Sequence, residues 1–98
     1  MASVEFAEAV LDDFNRIAAH LHKHEAENAS SRLSVIVSAM DVLASNPCIG
    51  RPVEDGRREL IIGEGAHGYL ALYAFVDVVD TVLVLALRSQ REAAYTRS

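Results

Sequence analysis

The sequence is poor in the residues that staple, break or charge a chain. A single cysteine, Cys48, in 98 residues rules out an internal disulfide and the paired Cys-x-x-Cys ligands of a structural zinc. A reducing compartment is the natural setting. Two prolines and five glycines are too few for a linker or a low-complexity chain. No apolar run approaches the ~18 residues of a membrane span, and Met1-Ala2-Ser3-Val4-Glu5 is acidic where a secretory leader is basic. These absences predict a soluble, cytoplasmic protein. Positive charge is scarce too. Nine Lys and Arg stand against fourteen Asp and Glu, for a formal charge of −5, a field that repels phosphate chains and argues against direct nucleic-acid binding.

What is present is apolar and patterned. Hydrophobic residues make up 51% of the chain, and its length allows one domain over residues 1–98. Val4-Glu5-Phe6 alternates as a short strand does. Val10, Phe14, Ile17 and Leu21 then recur at helical steps, predicting a helix from Ala7 to Ala26 with Glu8, Asp12 and Asp13 toward its positive end and His22, Lys23 and His24 toward its negative end. Asn28, Ser30 and Ser31 suit an N-cap. Leu33, Ile36, Val37, Met40, Leu43 and Ala44 predict a second helix to Ser45, stopped by Asn46-Pro47 and folded back on the first as a hairpin. Residues 47–57 hold both prolines and read as a loop.

From Arg58 the pattern turns to β. Strands are predicted over 58–62, 69–76 and 81–87, an antiparallel meander, followed at 89–97 by a short terminal turn of helix around Glu92, Ala93 and Ala94. The predicted class is a two-layer α+β domain of order β-α-α-β-β-β. Both sides of the last two strands are apolar. Tyr69, Ala71, Tyr73 and Phe75 oppose Leu70, Leu72, Ala74 and Val76, and Leu83, Leu85 and Leu87 oppose Val82, Val84 and Ala86. The face turned from the helices therefore needs cover, from another chain or from the C-terminal segment folding back.

Chemistry is sparse. Gly-x-Ser-x-Gly, a phosphate-cradling loop and His-Glu-x-x-His are all missing. His20, His22 and His24 have no acid or further histidine at a completing spacing, so no metal is expected. His67 and Cys48 read as loop residues. The informative groups are Arg57-Arg58-Glu59 and Arg88-Ser89-Gln90-Arg91 with Tyr95. Guanidinium forks suit phosphate or carboxylate, and tyrosine adds a stacking face. In a regular meander the two groups need not meet.

The runs Val4-Glu5-Phe6, Leu43 to Pro47, Gly50-Arg51-Pro52, Arg58-Glu59-Leu60, Gly68 to Tyr73 and Val84 to Tyr95, in that order, resemble the ParE/RelE superfamily of toxins from bacterial type II toxin-antitoxin modules. The resemblance implies a toxin with no cofactor, held in a hetero-oligomer by a cognate antitoxin that covers apolar surface, here assigned to Tyr69, Tyr73, Phe75, Leu83 and Leu85. ParE-like members act on DNA gyrase, which makes Arg88, Gln90, Arg91 and Tyr95 the target-binding residues. RelE-like members cleave messenger RNA in the ribosome, which makes Arg58, Arg88, Arg91 and Tyr95 the catalytic set. A toxin-like module that only binds its antitoxin is a third alternative. RelE-like cleavers commonly carry a basic residue where this chain has Leu70. ParE-like relatives often carry histidine where it has Ser89 and glycine where it has Ala94. The leucine and the acidic balance favour the ParE branch.

Overall fold

The computed structural model describes residues 1–95. Strand β1 (Ser3–Phe6) leads into helix α1 (Glu8–His24), and after a four-residue turn helix α2 covers Ala29–Ser45. Both helices lie within two residues of the bounds their periodicity predicts. The face of α1 that is buried carries Val10, Asp13, Ile17 and Leu21, spaced three, four and four. Helix α2 buries Ala29, Ile36, Met40 and Leu43. It begins at Asn28 with no side-chain cap, although three capping residues are at hand.

Strands β3 (Arg58–Ile62), β4 (Tyr69–Val76) and β5 (Thr81–Ser89) form the expected meander. Two additions complete the sheet. The loop read at 47–57 contains β2 (Arg51–Pro52), which pairs with Glu59 and Arg58, and β1 runs parallel to β5, giving the order β1-β5-β4-β3-β2. After β5 the chain turns sharply. The Glu92 amide donates to the Ser89 carbonyl at 3.1 Å, and that single turn stands where a terminal helical turn was expected.

A register shift decides which residues face the helices. Tyr73 pairs with Val84 but Leu72 pairs with Ala86, so Leu85 bulges, and the alternation of β5 changes phase there. Tyr69, Ala71, Tyr73, Val82, Val84, Leu87 and Ile62 join α1 and α2 in one core. Leu70 and Ala86 are buried on the opposite face, at 2% and 5% exposure, outside that core. No helix among the described residues is long and apolar enough to cross a membrane.

Candidate functional site

The sheet face turned from the helices carries the first network. Glu59 is buried there and accepts two bonds from the Arg51 guanidinium through Oε1. Its Oε2 accepts from the Tyr95 hydroxyl at 2.6 Å. The Arg88 guanidinium lies 5.2 Å from the centre of the Tyr95 ring, a cation–π distance. Burial pushes the Glu59 carboxyl up, but the bonds from Tyr95 and Arg51, helped by the charges of Arg51 and Arg88, outweigh it and hold the group below its ordinary range. Burial and the Glu59 carboxylate together push the Tyr95 hydroxyl well above its ordinary value. Tyr95 is a firm proton donor at neutral pH and a poor base.

This network joins the two arginine-bearing groups, which in a regular meander need not meet. Strand pairing sets Arg58 opposite Tyr73 and Ser89 opposite Tyr69, four residues apart along β4. The turn after β5 then reverses the chain and returns Tyr95 to Glu59. The C-terminal segment thus folds over the outer face, covering part of the apolar surface whose occupant the sequence left open. Ile61 and Val76, at 52% and 41% exposure, stay uncovered on that face.

A second network holds the turn in place. Asp13, fully buried in the apolar stripe of α1, accepts from the Leu87 amide at 3.0 Å and from Arg16 at 2.7 Å. Pairing with β1 ends at Val84, so the Leu87 amide lies beyond the reach of that strand and takes a carboxylate instead. Arg16 also forks onto both oxygens of Glu92, at 2.9 and 3.1 Å, and Glu92 accepts the Ser89 amide at 3.0 Å. The bond to Glu92 is the main cause that raises Arg16 above its ordinary value. Sequence reading assigned Asp13 to the helix dipole alone. Its position three after Val10 and four before Ile17, an acid inside an apolar stripe, was the signal of burial.

The residues named from sequence therefore separate. Arg58 donates to the carbonyls of Cys48 and Gly50, at 3.1 and 2.8 Å, and braces the loop before β2. Adjacent strand residues face opposite ways, so Arg58 and Glu59 do not share a face. Arg88 and Tyr95 lie together. Arg91 is exposed and reaches His67 Nδ1 at 3.5 Å. Gln90 is exposed, with its amide donating to the Gly68 carbonyl at 3.0 Å. Tyr69 and Tyr73, assigned to antitoxin contact, are 6% and 0% exposed and belong to the core with Phe75 packed against it. The alternation of β4 sets them toward the helices, whereas half-buried Leu83 pairs with Ala74 on the outer side, so the residues assigned to one contact lie on two faces. Half-buried Leu85 sits at the bulge.

An apolar opening lies where no sequence signal pointed. Phe6, Val10, Leu11 and Phe14 from the first helix and its approach, with Ile36, Val37 and Met40 from the second, line a groove of about 550 Å³ with Glu8 and Asp41 at its border. Phe6, Leu11 and Val37 are 50%, 64% and 53% exposed, more than isolated surface apolar residues require. The rings of His20 and His24 pack at a tilt, with centres 4.5 Å apart, and no cluster of three metal-ligating groups exists among the described residues.

Residues 4–94 match the family described as "ParE toxin of type II toxin-antitoxin system, parDE". The chain belongs to the ParE toxin family. Within the wider ParE/RelE superfamily it is 28% identical over 92 residues to Toxin RelE3 of Caulobacter vibrioides, covering 94% of this chain and 98% of the relative. Among solved structures, the chromosomal ParDE toxin-antitoxin system from P. aeruginosa aligns with a TM-score of 0.76 at 22% identity, over 91% of this chain and 96% of that one. The intact E. coli RelBE toxin-antitoxin complex aligns at 0.62 and 13% identity, over 94% and 100%. These likenesses confirm the α+β fold, and the family makes this ParE-like chain the toxin of a type II toxin-antitoxin system.

Proposed function

We propose that this ParE-like toxin acts in the cytoplasm by binding a protein target of replication, DNA gyrase by family resemblance, and is neutralised by an antitoxin docked in the groove between α1 and α2. The observation that carries the first half is that Arg88 and Tyr95 lie together while the rest of the ribonuclease set is engaged elsewhere. Arg58 braces a loop, Arg91 reaches His67, and Tyr95 is held protonated against Glu59. Cutting RNA needs a proton acceptor near the attacking hydroxyl and cations around the scissile phosphate, and these side chains do not converge on one point. Leu70 is buried where a basic residue would serve such chemistry.

The groove supports the second half. Its walls are apolar and its border carries Glu8 and Asp41, which suits an amphipathic antitoxin segment with apolar anchors and basic flanks. Inducing the chain alone in a bacterial host, with DNA supercoiling and messenger RNA integrity followed separately, tests the reading. Loss of supercoiling with intact messages is the expected result. Messages cut at codons would restore the ribonuclease reading, and unaffected growth would make the chain an antitoxin-binding module only.

A further inference from the structure

A cleft of about 340 Å³ lies between α1, the start of α2, the Gly65–His67 turn and the turn after β5. Neither the groove nor the Glu59 network uses it. Its floor is Ile17, Leu21 and Tyr69, and its rim brings His20, His67, Arg91 and Ser89 together. Two further arginines reach it, but each is engaged by carboxylates: Arg16 by Asp13 and Glu92, and Arg32 by Glu25 at 2.9 Å. Arg91 differs. It has no carboxylate partner among the described residues, and its contact with His67 is long, at 3.5 Å.

We propose that this cleft binds a phosphate monoester of about nucleotide size. Arg91, His67 and His20 hold the phosphate, and the organic part rests on Ile17, Leu21 and Tyr69. Helix α1, the Gly65–His67 turn and the turn after β5 each supply one of these side chains to the cleft. That arrangement suits a tetrahedral anion with three accepting oxygens better than a planar carboxylate, which takes a single fork. The volume far exceeds a bare phosphate and falls at the lower end of small-ligand sites. Glu25 and Glu92 stand beside the cations, and the chain carries a net charge of −5, so a single phosphate is admitted and a nucleic-acid strand is repelled.

The test is an amide NMR titration of the full chain with adenosine monophosphate, adenosine and inorganic phosphate, repeated on Arg91→Gln. Arg91 is exposed, so the variant retains the fold, which its unchanged spectrum outside the cleft verifies. Saturable shifts at Ser89, Arg91 and His67 are expected with the monophosphate, about tenfold weaker binding with adenosine, and a similar loss in Arg91→Gln. Equal affinity for monophosphate and nucleoside, or for parent and variant, overturns the site. Inorganic phosphate binding as tightly as the monophosphate overturns the role given to the apolar floor.

Discussion

At the scale of single residues, the tightest constraint is Gly50. Its amide donates to the Tyr73 hydroxyl at 2.9 Å, and a Cβ there would stand 2.7 Å from Tyr73 Cε1 and 2.9 Å from the Glu59 carbonyl oxygen. The backbone needs this glycine for close approach, since the ring and the strand opposite it are both fixed. Gly50→Ala is expected to cost about 1–3 kcal/mol by overpacking, read as a lower urea midpoint with unchanged slope. Glu59 carries the pH dependence. Its carboxyl titrates below its ordinary 4.5 in the folded state, so the stability it contributes is complete above that value and fades as pH falls through the lower, folded one. The gap in urea midpoint between the parent and Glu59→Gln is therefore expected to narrow as the solution is acidified below the ordinary carboxyl value of 4.5. A gap of constant size would show that the carboxylate's partners do not hold it.

Among elements, the decisive contact is between α1 and the turn after β5. Asp13 and Arg16 lie on one helix, Leu87 and Glu92 at the end of the last strand and beyond it, and their bonds carry the turn to the position from which Tyr95 reaches Glu59. Asp13→Ala leaves the buried Leu87 amide without its acceptor and Arg16 without its inner partner, a loss of about 2–4 kcal/mol. Arg16→Gln acts more locally. With about a third of its side chain exposed, it contributes less to global stability, but the amides of Ser89 to Tyr95 are expected to exchange faster while those of β4 keep their protection. Uniform acceleration across the sheet would assign Arg16 to the core instead of to the turn.

For the molecule as a whole, the sheet has two apolar faces and only two helices to cover them. The helices take one face, and the returning C-terminal segment takes part of the other. An apolar groove also opens between α1 and α2, with Phe6, Leu11 and Val37 exposed along it, and it is there that we propose the antitoxin docks. Leu11→Glu and Val37→Glu together should weaken antitoxin binding by at least about tenfold, measured by calorimetry on the purified pair. They should leave the denaturation midpoint of the toxin nearly unchanged, because both side chains are already half exposed or more. Rescue of growth by the antitoxin would fail in the same variant. Undiminished binding would move the interface to the outer sheet face around Ile61 and Val76.

Periodicity alone determined both helices, the three long strands and their order, because each of those features is written in spacings of two or of three to four within a single segment. The ordered runs from Val4 to Tyr95 carried the family. Tertiary structure decided what local pattern cannot encode. The bulge at Leu85 put Leu87 into the core and Ala86 on the outer face, since one extra residue exchanges inside for outside along the rest of a strand. Asp13 looked like a surface acid until β5 offered it an amide. Tyr95 met Glu59 only because a turn anchored to a distant helix brings together residues 36 positions apart. Contacts between elements depend on where each comes to rest, and that is fixed only when all of them pack at once.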